Sequence, residues 1–232
     1  MDIMRKLFLN SVIVIAMGSA SFAGYAAESA SLSVTGTITP ATCGVTLSAA
    51  SIDLGNIAAS TLTQQANTKA GSDITVNIAC DAPAAVAVQT TDNRASSAIT
   101  IAEALENLGL SMQNMTDANI FGLGTDSANN NVGILILGIT GATVDGSANP
   151  NLLSSLDKAS WTATRVSTSR GLSLTKDGYF ASASAADATS PVAFTNATYT
   201  ISSGVVLKKG DQYPSGESVS LDGNVTFSVV YL

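Results

Sequence analysis

No histidine occurs anywhere in the 232 residues. That absence excludes Ser-His-Asp and Cys-His nucleophilic pairs and every metal site built on imidazole. Charge is scarce as well: Asp, Glu, Lys and Arg make up 12% of the chain, with 10 basic against 17 acidic residues and a formal net charge of −7. An acidic chain without a basic stripe is a poor partner for nucleic acid or for an anionic membrane. Aromatic residues amount to 5%, with Trp161 the one tryptophan. No apolar run reaches the roughly 20 residues that a membrane-spanning helix requires. Carboxylate-only chemistry of the kind that cleaves glycosides survives these exclusions, so the placement of the acids matters. Asp126, Asp145, Asp177 and Asp222 all fall in loop or turn signals, and the chain reads as a non-enzyme, with no cofactor and no metal site.

What is present is Thr, Ser, Ala and Gly with many Val and Ile, inside a hydrophobic fraction of 46%. That composition fits an all-β protein with polar, uncharged outer faces. Its first residues have another purpose. Arg5 and Lys6 precede the apolar run Leu7–Met17, and Gly18, Ser19, Ala20 and Ser21 follow. This is the three-part plan of a secretory signal peptide. Cleavage after Ala23 and cleavage after Ala26 both satisfy the small-residue rule, and loss of residues 1–23 leaves a mature net charge of −8. The mature chain is expected outside the cytoplasm, with no transmembrane segment.

In an oxidising compartment Cys43 and Cys80, the only two cysteines, are expected to form one disulfide. Each lies near a strand. Residues 73–80 alternate Ile74, Val76 and Ile78 with polar or small residues. Pro83 is expected to break that strand, with a second run over 85–90. Residues 97–110 form the one helix-like stretch, with Gly109 placed to end it. Residues 114–131 read as a loop with an apolar spot at 120–123. Its glycines do not make a dinucleotide fingerprint, because Ser127 stands where a third glycine is needed. Residues 132–140 are apolar on both parities and predict a central strand covered on both faces. Asp145-Gly146 and Asp177-Gly178 are hairpin-type turn signals, and Asp222-Gly223 reads as a further turn. Shorter strands are expected at 161–164 and 172–174, and residues 181–190 as a surface loop. Trp161, without aromatic neighbours in sequence, reads as a core residue rather than a sugar platform.

The two termini of the mature chain carry the clearest periodicity. From Ala30 to Ile38 the residues Leu32, Val34, Gly36 and Ile38 fall on one side, and Ser31, Ser33, Thr35 and Thr37 on the other. Strict alternation predicts a strand with one dry and one wet face, stopped by Pro40. Val225, Phe227, Val229 and Tyr231 alternate with polar partners to the last residue, Leu232. A terminal strand that stays apolar is expected to be docked, since most chains fray there.

In combination these features resemble a chaperone–usher pilus (fimbrial) subunit: an alternating strand carrying Gly36, Cys43 seven residues later, ITVNIAC ending at Cys80, and a closing apolar strand with penultimate Tyr231. TGTITPATC, LDGNVTFSVVYL and the stretch from Asp145-Gly146 to Trp161 are similar, more narrowly, to a fimbrial-like branch of uncharacterised exported proteins (DUF1120-like). The resemblance is tight over 30–47, 73–81 and 221–232 and loose over 100–200. It implies an incomplete immunoglobulin-like sandwich over 41–232 with an N-terminal donor-strand extension over 24–40. Leu32, Val34, Gly36 and Ile38 would plug the groove of the next subunit. Val225, Phe227, Val229, Tyr231 and Leu232 would form this subunit's own acceptor groove and chaperone-binding strand. The implied partners are a periplasmic pilus chaperone, an outer-membrane usher and neighbouring pilus subunits, and the implied destination is the cell surface by way of the periplasm. The expected function is a structural fimbrial subunit contributing to adhesion. The competing reading is a self-contained secreted β-sandwich that binds a glycan or a surface.

Overall fold

A computed structural model describes residues 30–167 and 170–232. The signal peptide expected over 1–23 lies outside the described residues. The chain divides into two units, one ending at Thr39 and the other running from Pro40 to Leu232. In the first unit, residues 30–39 form no strand, and all of them are exposed. Alternation alone did not yield a ladder there: a strand exists only where a second strand accepts its hydrogen bonds.

The second unit is all-β and antiparallel. Its strands are β1 (Cys43–Leu47), β2 (Asn67–Ala70), β3 (Ile74–Asp92), β4 (Phe121–Gly122), β5 (Gly133–Val144), β6 (Ser147–Ala148), β7 (Asn151–Ser155), β8 (Thr162–Arg165), β9 (Leu172–Ser173), β10 (Tyr179–Ser182), β11 (Ala193–Leu207) and β12 (Val225–Tyr231). The 19-residue β3 joins the network. Its first part pairs with β1 and β11, and its last part with β12 and β10. Sequence reasoning broke this strand at Pro83, yet it runs through. The β11 ladder instead jumps from Phe194↔Ala84 to Asn196↔Ala79. Pro83 thus sits where no β11 partner asks for its missing N–H, the position a sheet allows to proline.

β5 is central as expected, pairing with β11 along its length and with β4, β6 and β9 on the other side. Side chains from both parts of the network share one core: Val76 and Ile78, Val88, Ile139, Leu152 and Tyr199 are all buried in it. Phe180 of β10 meets Tyr199 of β11 edge-on at 5.0 Å and Phe227 of β12 at 6.5 Å. These are favourable aromatic geometries.

One α-helix, α1 (Ile101–Leu108), lies inside the helix-like stretch. Thr100 caps it reciprocally with Glu103: the Glu103 N–H donates to Thr100 Oγ1 (3.1 Å), and the Thr100 N–H donates to Glu103 Oε2 (2.7 Å). Gly109 ends it at φ 65°, the left-handed cap that glycine supplies without strain. Ala104 and Leu108 pack α1 against Ile120, Ile134 and Val206.

Of the remaining readings one holds and four need correction or refinement. Asp145-Gly146, at φ 46° and 79°, is a two-residue hairpin turn between β5 and β6. Asp177-Gly178 is a turn but not a hairpin, because β9 pairs with β5 while β10 pairs with β3 and β7. Asp222-Gly223 is no turn: Asp222 lies in an irregular stretch and ion-pairs with Arg94 at 2.6 Å. Of the loop expected over 181–190, residues 181 and 182 belong to β10 and Ala183 is buried beside them, so the loop begins at 184; Trp161 is only half-buried, outside the core, its Nε1–H donating to the Lys158 carbonyl (3.1 Å). Among the described residues no helix is long and apolar enough to cross a membrane.

Candidate docking groove

The sequence feature that positions the site is the short reach of β1 and the late start of β12. β1 pairs with β3 from Cys43↔Cys80 only as far as Leu47↔Val76, and the chain then leaves the sheet as an irregular strap over residues 48–58. On the opposite side residues 213–224 form a second irregular strap before β12 begins at Val225. Between the straps a groove of about 750 Å³ remains.

Its floor is the apolar face of the β4–β5–β11 ladders: Leu123, Leu135, Leu137, Val205 and Leu207. Ile52, Leu54 and Ile57 line one wall; Tyr213, Val219 and Leu221 line the other, continued by Val225 and Phe227 of β12. The straps do not bury their apolar side chains fully. Leu54, Ile57, Val219 and Leu221 are only partly buried against Leu62, Leu123, Val132, Val205 and Leu207. Apolar surface left in this state is a standing driving force for covering it.

The expected disulfide is present. Cys43 and Cys80 are bonded and are also ladder partners, so β1 is pinned to β3 both covalently and by hydrogen bonds. At the same end the Cys43 N–H donates to the Tyr231 hydroxyl (2.6 Å), which ties the last residue of β12 to the start of β1.

Among the acceptor residues named from the sequence, Val225 and Phe227 line the groove. Val229 packs against the main core with them. Tyr231 and Leu232 are half-exposed at the end of the strand. β12 pairs along one edge, with β3, from Val225↔Asp92 to Tyr231↔Val86. Its other edge has no ladder partner among the described residues. Among the donor residues, Leu32, Val34 and Ile38 expose 91%, 89% and 98% of their surface. Nothing among the described residues comes within 4 Å of a Cβ built on Gly36.

Sequence reasoning missed the strap contribution to the walls. Ile52, Leu54, Ile57, Val219 and Leu221 are spaced two or three apart in polar surroundings, a signal too short to separate a groove lining from a loop.

Most polar groups around the site are held by the fold, whereas the buried Ser203 hydroxyl in the lining has no hydrogen-bond partner among the described residues. The Tyr213 hydroxyl donates to the Val132 carbonyl (2.7 Å) and accepts from the Lys208 N–H (3.0 Å), and burial pushes it above the usual tyrosine range. Burial lowers the Lys208 ammonium, partly offset by Asp126. Of the four acids weighed as catalytic candidates, Asp126 and Asp145 hold backbone N–H groups and Asp222 holds a guanidinium. Asp126 accepts from the Asn130 and Ala128 N–H groups, and Asp145 from Thr195 and Asn196; both are held below the usual carboxylate range by those hydrogen bonds. Asp222 is lowered by its hydrogen bond and charge interaction with Arg94. Asp177 takes φ 58° in its turn.

With the groove and its two straps described, similarity to other proteins can be placed on the structure. Residues 32–135, under half of the chain, match the family model described as "Protein of unknown function (DUF1120)". Over its whole length the chain is similar to Protein GltF of Escherichia coli (strain K12), at 27% identity across 260 aligned positions that take in 98% of this chain and 99% of that protein. The matched block begins at Leu32 and so takes in all four exposed dry-face residues, the disulfide and β1 through the start of β5.

Proposed function

We propose that the chain is a structural subunit of a surface fimbria, exported through the periplasm and assembled by donor-strand exchange along a chaperone–usher pathway, contributing to adhesion. On this reading the domain is an immunoglobulin-like sandwich one strand short. The observation that carries it is the pairing of an apolar groove with the free edge of β12 beside it. An edge strand next to exposed core is a template for another strand.

The exposed N-terminal segment supports the same reading. Its wet face is Ser and Thr, its dry face aliphatic, and nothing in residues 30–39 is charged. Burying Leu32, Val34 and Ile38 contributes about 1.5–3 kcal/mol each. A ladder along the seven residues of β12 supplies backbone hydrogen bonds in addition. The chaperone would occupy the groove first, and the neighbouring subunit would replace it at the usher.

The test is periplasmic expression of the exported chain with and without residues 24–40, with and without a synthetic peptide of residues 28–40. The expected result is poor solubility of the shortened chain, rescued by the peptide. A shortened chain that is soluble, monomeric and indifferent to the peptide would favour a self-contained glycan- or surface-binding sandwich instead.

A further inference from the structure

Ala59, Leu62 and Tyr213 bound one end of the groove's lining. There the chain just past the first strap meets the chain just before the second, backbone to backbone: the Gly210 N–H donates to the Leu62 carbonyl (2.8 Å). The approach is so close that a Cβ on Gly210 would overlap the Ala59 carbonyl oxygen and lie 2.8 Å from its carbon. Tyr213 flanks this contact with its hydroxyl fixed at both lone pair and proton. Towards the other end the lining passes through Leu47 and Phe227, and the same parity of β12 continues as Val229 and the half-exposed Tyr231.

A strand entering such a groove faces a register problem. A one-residue slip turns every side chain to the wrong face and is strongly resisted. A two-residue slip is not: in residues 30–38 it would move Gly36 to a neighbouring position but keep Leu32, Val34 and Ile38 on the dry face. The free edge of β12 accepts either register equally well, because backbone hydrogen bonds carry no sequence information.

We infer that the Ala59–Gly210 contact is a stop that fixes the register of the entering strand, and that this strand is residues 30–39 of a second copy of the chain. The inference rests on the docking reading above. The segment is uncharged, as the apolar floor requires. At about 3.3 Å per residue its ten residues exceed the seven of β12, so one end must be halted.

The test uses the full exported chain and three fluorescent peptides: residues 30–39 alone, and the same peptide extended by Ser-Ala-Ser at its N-terminus or at its C-terminus. One extension, the one that meets the stop, is expected to weaken binding by about tenfold or more, and the other to leave it within about twofold. Gly210→Ala, which forces the Ala59–Gly210 contact apart, is expected to erase that asymmetry; Tyr213→Ala serves the same purpose where Gly210→Ala does not fold. If the parent peptide binds and both extensions bind alike, the stop is overturned and the docking reading stands. If the parent peptide does not bind, both fall.

Discussion

Asp145 shows how single carboxylates hold this fold without any histidine. Its Oδ1 accepts from the Thr195 N–H (3.0 Å), the Thr195 hydroxyl (2.7 Å) and the Asn196 N–H (2.9 Å). The Thr195 hydroxyl is the leading cause of its lowered pKa, and the Asn196 N–H follows. Asp81, Glu103 and Asp157 are lowered by comparable hydrogen bonds, to Thr42, Thr100 and the Ser160 and Ala159 N–H groups. A carboxyl lowered in the folded state contributes stability that is present above its unfolded value, near pH 4, and is lost as pH falls through the folded value. The urea midpoint is therefore expected to hold level from about pH 8 to pH 5, where no histidine titrates, and to fall below about pH 4. Asp145→Asn keeps a side chain tolerant of positive φ while removing the charge, so its acid limb should be shallower than that of the parent. A midpoint that changed steeply between pH 5 and 8 would contradict this account.

At the scale of elements, the disulfide matters through β1. Cys43 and Cys80 face each other in the ladder, and Leu47, at the far end of β1, lines the groove. Replacing both cysteines by serine is expected to lower stability by about 3–4 kcal/mol, read as a shift in the urea midpoint, and to weaken peptide capture because one wall loses its anchor. Unchanged capture in the serine variant would separate the disulfide from the groove. This pin was legible in the sequence, as were α1 with its Gly109 stop, the central β5 and the Asp145-Gly146 hairpin, because each is set by local spacing. Pro83 misled, since its tolerance depends on a ladder irregularity supplied by β11, over a hundred residues away. Gly122 was read as part of a loop. It lies in β4, where a Cβ would overlap the Arg94 carbonyl and stand 2.5 Å from Ser97 Oγ, a constraint that only tertiary packing creates. The groove was half legible: Val225 and Phe227 follow from alternation, whereas the strap walls carry no periodic signal.

The whole molecule combines one exposed apolar segment with one uncovered apolar groove, and the two can be disabled separately. Val34→Asp places a charge on the dry face of the segment and leaves the groove intact. Val219→Arg places a charge in a strap wall, away from the main core, and leaves the segment intact. A charge buried without a partner costs several kcal/mol, enough to prevent docking of a strand whose apolar burial contributes a similar amount. Neither variant alone is then expected to form polymers. Mixed, the intact segment of Val219→Arg can enter the intact groove of Val34→Asp, but the resulting pair has a dead segment at one end and a dead groove at the other. Sedimentation should show one-to-one heterodimers that grow no further, while the parent chain under the same conditions forms long assemblies. Polymers from either variant alone, or from the mixture, would mean that subunits associate through some other surface. A mixture that stays monomeric beside a polymerising parent would mean that one of the two sites is not half of the joint.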